Sequence, residues 1–548
     1  MFKRIWILSA AAGLLLTSTL PAYAVKTVGA KTAEMIDPPA VQAFWTDEEY
    51  KAKRAWSAKQ ANRVIAKTDV VNEDTALSED FRNLRNRLIG GVKYKDGKVS
   101  GETFPGVSTP DQLDAFLAYY ETSYNSLATD AKFVAAQMIP MRVYRGIIAR
   151  SLHLLQTAKL AHSTVATILR LTTTGIYTFL PTKQAEAAIQ YVAMPFDGMK
   201  DDINSEADLQ RFMQGDAFRA LDASISHIYA LNLEKQIYFD NKLAYGKGDF
   251  PLSDYDRFTT IGEAERFALL GGLSFAESAL ASTNAYSLNG FFEAVKRISK
   301  QFGYDAAKGY ASDQGINGVS AKERTQILRD VAADSAKAGQ KTGQPGLFKR
   351  NPNGVKWMST SWVNLRNAIQ ASRVSYDLLK KNKDSHNDMN LFNPQVFLSF
   401  DRIVNASFEN LEPLVDNPTE FTENRAKPAP ETADSKVVTI NSAFDSKEHQ
   451  DVDLKKFFMH PPADLFAFLP TPTGFKNAPF RQFKTPGHKT THEWHNYLSE
   501  SPTAWDLGAF QPYFPGINKQ EDVQKAARVL SQAWGGWLVG LPLAAVIF

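Results

Sequence analysis

The sequence predicts a mainly α-helical protein, with a multi-helix body, one small β-hairpin and a Pro/Phe-rich irregular C-terminal arm. Three observations carry that prediction. Helix-start signals recur through the first two-thirds of the chain, only one segment reads as a hairpin, and 13 of the 26 prolines fall between Pro413 and Pro515. The 548 residues exceed the roughly 250–300 that one core sustains, so two or more packed units are expected. A composition of 44% hydrophobic and 22% charged residues argues against wholesale disorder. No cysteine is present, which excludes disulfides, thiolate zinc sites, iron–sulfur clusters and thiol nucleophiles.

Each element has a local justification. Thr46-Asp-Glu-Glu49 is a capping box opening an amphipathic stretch to about Ala66. Ser78 caps 79–89, and Gly90-Gly91 ends it. Val92 to Phe104 reads as a hairpin with Asp96-Gly97 at its turn, where positive φ is needed. Thr109-Pro110-Asp111-Gln112 places a cap, a proline at the first helical position and a box partner. Ser320-Ala-Lys-Glu323 starts a helix running to Gly339, and long helices fit 131–180, 205–240, 260–300 and 357–383.

Proline stops helices and blocks central strands, while seven phenylalanines between Phe457 and Phe483 need a surface to bury against. The expected plan is therefore a helical body over 25–383, a connecting segment over 384–436 and an aromatic-rich region over 437–548. Segment 416–436 reads as a flexible linker, and Gly339 to Lys356 as a second hinge.

Residues 1–24 have the layout of a secretory signal: Lys3 and Arg4, an apolar run from Ile5 to Leu16, and Ala22-Tyr23-Ala24 before the expected cleavage. Export to the periplasm or cell envelope follows as an expectation. The mature chain would carry a charge near +1, which gives no reason for nucleic-acid capture.

Two stretches suggest contact surfaces. The 55 positions between Asp130 and Glu186 hold no acid but seven bases, including Arg142, Arg145, Arg150, Lys159 and Arg170. On a helix, these would face an anionic membrane surface or an acidic partner, or pair with acids elsewhere in the same chain. Val529 to Phe548 is uncharged, and Trp534, Trp537, Leu541 and Phe548 form its apolar interface for a membrane or another subunit.

Two constellations could carry chemistry. His488, His492 and His495 gather within eight residues, and on a helix His488 and His492 share a face that could hold zinc for a metal-dependent hydrolase. A surface cluster of histidines is the alternative. Glu277-Ser278, Asn284-Ala-Tyr-Ser287 and Gly290-Phe-Phe-Glu293 together resemble a segment of the lysozyme-like lytic transglycosylases, with one residue of spacing different before Asn284. The resemblance covers about 17 residues and implies a helical fold in which Glu277 would be the acid protonating a glycosidic oxygen, its pKa raised by an apolar pocket. The competing reading is an ordinary solvent-facing glutamate. Phosphate loops, nucleophile elbows and dinucleotide fingerprints are absent from the sequence. Asp384 to Asn390 is polar but lacks EF-hand spacing, so it reads as a solvated loop. The expectation is an envelope protein acting by binding, as a scaffold or assembly subunit. Its partners would be other envelope proteins, the membrane surface or further copies of itself. No cofactor is expected beyond the zinc those histidines would take.

Overall fold

Capping chemistry fixes where the helices begin. The computed structural model describes residues 35–60, 76–152, 154, 182–199, 202–240, 243, 258–294, 297, 321–381, 401–415, 421–422, 425–426, 435–442, 448–468, 481–484, 491–494 and 505–533. An extended segment, 35–45, contains strand β1 (Val41–Gln42) and enters α1 (Asp47–Lys59). There the expected box is present: the Thr46 hydroxyl accepts the Glu49 N–H at 3.2 Å, and the Glu49 carboxylate accepts the Thr46 N–H at 2.8 Å. Ser78 caps α2 (Glu79–Ile89), which ends at Gly90 with φ +88°. The hairpin of β2 (Gly91–Lys95) and β3 (Lys98–Phe104) turns through Asp96 and Gly97, both at positive φ. At α3 (Pro110–Ser123), Thr109 caps Gln112, but the Gln112 side chain accepts from Ser108 instead of Thr109.

The long helix expected over 131–180 is interrupted. α4 (Thr129–Met138) passes into a 3₁₀ turn, Ile139–Tyr144, and then a short α5 (Ile147–Arg150). Pro140 supplies no N–H to continue the ladder. Gly146 sits at φ +61°, where any Cβ would meet the Phe196 ring at 2.8 Å. α6 (Thr182–Ala193) follows. The helix expected over 205–240 divides into α7 (Glu206–Phe212), a π-turn (Met213–Ala217) and α8 (Phe218–Tyr229), and then gives way to β4 (Ile237–Asp240). β4 pairs with β5 (Phe258–Ile261), and Asp240 receives the buried Arg85 guanidinium at 2.7 Å.

The remaining elements are α9 (Glu263–Asn284), α10 (Ala321–Thr342), α11 (Gly354–Lys381), α12 (Asp401–Leu411), β6 (Phe421–Thr422), β7 (Arg425–Ala426), β8 (Val438–Asn441), β9 (His449–Val452), α13 (Leu454–Met459), β10 (Arg481–Lys484), β11 (Thr491–Trp494), α14 (Leu507–Phe510) and α15 (Gln520–Ala533). The fold is mainly helical, as expected.

Three expectations change. The single hairpin becomes five small antiparallel sheets among the described residues: β1-β7-β6, β2-β3, β4-β5, β8-β9 and β10-β11. Strands of two to four residues are too short to print a period-2 pattern. Segment 416–436, read as a linker, supplies β6 and β7, and β7 pairs with β1. Gly339 to Lys356, read as a hinge, buries Leu347 completely and ties Phe348 and Lys349 to Ser287 through backbone hydrogen bonds.

At the centre, α9 and α11 run antiparallel along a seam of small residues. The Ser278 hydroxyl donates to the Ser361 carbonyl at 2.9 Å, and the Ser361 hydroxyl donates to the Ser278 carbonyl at 2.7 Å. Fourteen residues away in one direction, Ser375 donates to the Ala264 carbonyl, and halfway there the hypothetical Cβ of Gly271 would lie 3.3 Å from the Ala368 carbonyl. In the other direction, Gly354 lies so close to Ala285 that a Cβ would be 2.4 Å from its carbonyl oxygen. The seam is therefore Ala264, Gly271, Ser278 and Ala285 on one helix against Ser375, Ala368, Ser361 and Gly354 on the other. A seven-residue period keeps one stripe facing its partner along a gently coiled pair.

On one side of the seam, Trp362 packs on Phe458 at 5.4 Å between ring centroids, and Phe457, Phe468, Tyr513 and Phe510 continue that aromatic cluster. The described C-terminal segments thus share one apolar core with the helices. Among the described residues, no helix is long and apolar enough to cross a membrane.

The seam makes a direct prediction. Gly354→Ala should lower stability by about 1–3 kcal/mol, because overpacking against a fixed backbone carbonyl outweighs the roughly 1 kcal/mol of helix propensity gained. Urea unfolding followed by far-UV circular dichroism measures it. An unchanged or higher midpoint would show that the helices do not approach so closely.

Candidate functional site

The seam determines which polar side chains meet. Residues one place before a seam position lie on one flank of it, and because the helices are antiparallel, both rows share that flank. On α9 these residues are Glu277 and Asn284. At the corresponding positions, one place before Gly354, Ser361 and Ala368, are Asn353, Thr360 and Asn367. Positions four before the seam, Ser274 and Asn364, join them. All are buried, and Glu277 is 1% exposed. Glu277 therefore does not face solvent, which corrects the bland sequence reading of it.

Three further elements close over this flank. The π-turn places Gln214, which donates to the Asn284 carbonyl at 3.3 Å and accepts the Ile36 N–H at 3.3 Å. α8 supplies Asp222, whose Oδ2 accepts from Arg425 Nη1 at 2.9 Å. Arg425 also donates to Ser226 Oγ at 3.0 Å and to the Ala40 carbonyl at 2.7 Å. The extended segment 36–45 runs across the top.

Electrostatics separate the two acids. Burial pushes the Glu277 carboxyl well above the usual range, the Asp222 charge pushes it further, and Arg425 acts against both. Burial also holds Asp222 above its usual value, an effect the Arg425 ion pair and the Gln42 N–H offset only in part. Asp222 is thus the member that carries charge and Glu277 the member that keeps its proton. Around them, Glu277 Oε1, Asp222 Oδ1, Ser274 Oγ, Thr360 Oγ1 and both amide ends of Asn284 and Asn364 are buried without a hydrogen-bond partner among the described residues. A row of this kind suits ordered water or a small hydroxyl- or amide-bearing guest. Its sealed position does not suit a polymer substrate.

The other sequence candidates are placed differently. Arg142 pairs with Glu121, Arg145 with Asp111 and with Asp114 at 2.7 Å, and Arg150 with Asp202 at 2.8 Å, so these three cations are engaged within the chain. Lys159 and Arg170 lie outside the described residues. His492 belongs to strand β11, opposite Phe483 of β10, so the helical spacing that would align it with His488 does not apply. His488 and His495 lie outside the described residues. Among the described residues, no group of three or more His, Cys, Asp or Glu side chains is arranged to hold a metal ion. The apolar tail begins inside α15, where Val529 is fully buried. Trp534, Trp537, Leu541 and Phe548 lie outside the described residues.

Sequence reasoning found Glu277 but missed Asp222, Arg425, Thr360 and Asn364. The available signal was the run of polar residues in 359–370 inside an otherwise apolar helix, which marks an inward-facing polar stripe. Comparison of the chain with protein-family models, curated protein sequences and solved structures finds no match.

The state of Glu277 can be tested through pH. Below the ordinary glutamate value near ~4.3, it is protonated both folded and unfolded. As pH rises, the unfolded chain releases this proton while the folded chain retains it, so wild-type stability falls until the raised folded value is passed. Glu277→Gln removes that dependence. The variant should gain on wild type between pH 4 and 7 by up to about 1.4 kcal/mol per pH unit, read from urea midpoints. A difference independent of pH would mean that Glu277 ionises as freely in the fold as out of it.

Proposed function

We propose that the chain is an exported cell-envelope protein that works by binding, as a scaffold or assembly subunit. The supporting observation is the sealed position of Glu277, the one acid for which a glycan-cleaving role was legible. It is 1% exposed, lies beside the α9–α11 seam and has as charged neighbours Asp222 and Arg425, the latter bonded to the Ala40 carbonyl. General acid catalysis on a polysaccharide requires the acid to reach the glycosidic oxygen directly or through one water. A carboxyl that is 1% exposed does not meet that requirement. Its surroundings instead serve to organise the interior, which leaves the outside of the molecule to carry the function. The signal-like segment 1–24 supports export, and the uncharged tail supports a contact with a membrane or another subunit.

Two experiments address this reading. Purified wild type and Glu277→Gln should both release no soluble fragments from peptidoglycan. Release by wild type alone would establish the cell-wall enzyme instead. A chain ending after Ala533 keeps all of α15 and removes only 534–548. It should move from the membrane fraction to the soluble fraction or show a smaller mass by light scattering. If neither changes, the tail is not the interface.

A further inference from the structure

Segment 35–45 and α1 form a continuous arm, 35–59, and the groove that holds it reads backbone more than side chains. The Ile36 carbonyl accepts from Asn353 Nδ2 at 2.7 Å and Trp357 Nε1 at 3.0 Å. Asn367 works as a fork: its Nδ2 donates to the Gln42 carbonyl at 2.5 Å, and its Oδ1 accepts the Phe44 N–H at 3.1 Å. The Tyr229 hydroxyl donates to the Phe44 carbonyl at 2.5 Å, and Arg366 Nη1 to the Trp45 carbonyl at 2.5 Å. β1 adds as a strand to β7, with Val41 opposite Ala426. Apolar anchors supply the rest: Val41, Ala43 and Phe44 are buried, and Phe44 stacks on Tyr229 at 4.8 Å. α1 is clamped through Arg54, which reaches Asp377 at 2.6 Å and also Glu412.

Strand addition, side-chain amides on an extended backbone and pockets for alternate residues are the means by which proteins recognise extended peptides. We propose that this groove is a peptide-binding site and that its occupant in the assembled protein is the arm, 35–59, of a second copy of the chain. The inference rests on the assembly-subunit reading and deepens it.

Three observations support the choice of occupant. Every copy carries the segment the groove already fits, so exchange recreates each contact between molecules without new chemistry. The arm precedes every other described element, so moving it carries no other described element along. Residues 60–75 join it to the packed segment that begins at Ala76, and sixteen residues can span about 50 Å when extended. A reciprocal exchange closes on itself as a two-fold dimer.

The absence of cysteine allows introduced thiols to report cleanly. V41C and A426C are made as separate single variants of the mature chain, mixed, passed through mild urea and oxidised. A cross-linked dimer on a non-reducing gel should form in the mixture at least tenfold more than with either variant alone. The double variant V41C/A426C, oxidised when dilute, should lock within one chain and lose the dimer. Locking of the double variant without cross-linking of the mixture would overturn the proposal.

A second measurement decides the matter if the double variant does not lock. A fluorescent synthetic peptide of residues 35–59 should bind the intact chain saturably, and its V41E/F44E form at least tenfold more weakly. No saturable binding, or equal binding of both peptides, overturns the exchange. Light scattering of wild type separates the two ideas: a chain that oligomerises without exchanging arms keeps the assembly reading and loses this one.

Discussion

The close antiparallel approach of α9 and α11 is the constraint on which the rest of the structure depends. Gly271, Ser278, Ser361 and Gly354 leave so little beyond the backbone that each helix touches the other's carbonyls. A seam of Gly, Ala and Ser buries far less apolar area than one of leucine, at ~25 cal/mol per Å², so the pair must be held by its flanks. The two flanks differ in kind. One is aromatic, with Trp362 against Phe458 and the cluster beyond it. The other is polar, lined by Glu277, Asn284, Thr360, Asn364 and Asn367 and roofed by the arm. A one-residue slip of either helix would turn its faces by about 100°, so that on one helix Trp362 would be driven into the small-residue seam. The seam fixes the register that prevents it.

The polar flank is costly to bury, at about 1–3 kcal/mol for each group left unsatisfied. Much of that cost is offset by the arm. Asn353, Asn367 and Gln214 would each lose a partner if residues 36–44 were removed, and so would Arg425, whose charge is tied to Asp222. The arm therefore completes the core as well as covering it. Most of its partners lie more than three hundred residues away in the chain, at 353–367 and 425–426, while Gln214 and Tyr229 are 178 and 185 residues from theirs. Such contacts close a long loop, whose entropic cost is repaid only once both ends are in place.

How much of this was legible depended on whether the signal was local. The caps at Thr46, Ser78 and Thr109 and the Asp96-Gly97 turn are each decided within four residues, and the structure follows them. The break after Met138 was also written locally, in Pro140 and Gly146, but the apolar spacing beyond Met141 favoured a continuous helix. The seam was present as small residues seven apart in each of two segments, yet a stripe of that kind says nothing about its partner. Arg425 and the arm could not be read at all. Polar, proline-flanked sequence resembles a linker until a distant strand gives it something to pair with, and Val41-Gln42 is too short to announce itself as a strand. Glu277 was found through its resemblance to a catalytic motif, whereas its burial follows from the helix opposite it.

The charge segregation along the sequence carries a related lesson. Seven bases without an acid between Asp130 and Glu186 suggest a positive surface when the chain is read as a line. Folded, the described part of that stretch lies beside α3, whose Asp111, Asp114 and Glu121 meet Arg142 and Arg145, while Asp202 meets Arg150. Arg145 and Arg150 also lie over the rings of Phe196 and Phe212, at 4.4 and 5.1 Å. Partly exposed pairs of this kind add little stability individually. Their effect is on what the surface can do: a guanidinium already shared between a carboxylate and a ring has little left to offer an anionic partner. The described arginines of this stretch therefore offer less to an anion than their number in the sequence suggests, whereas α11 holds the arm by hydrogen bonds to its backbone.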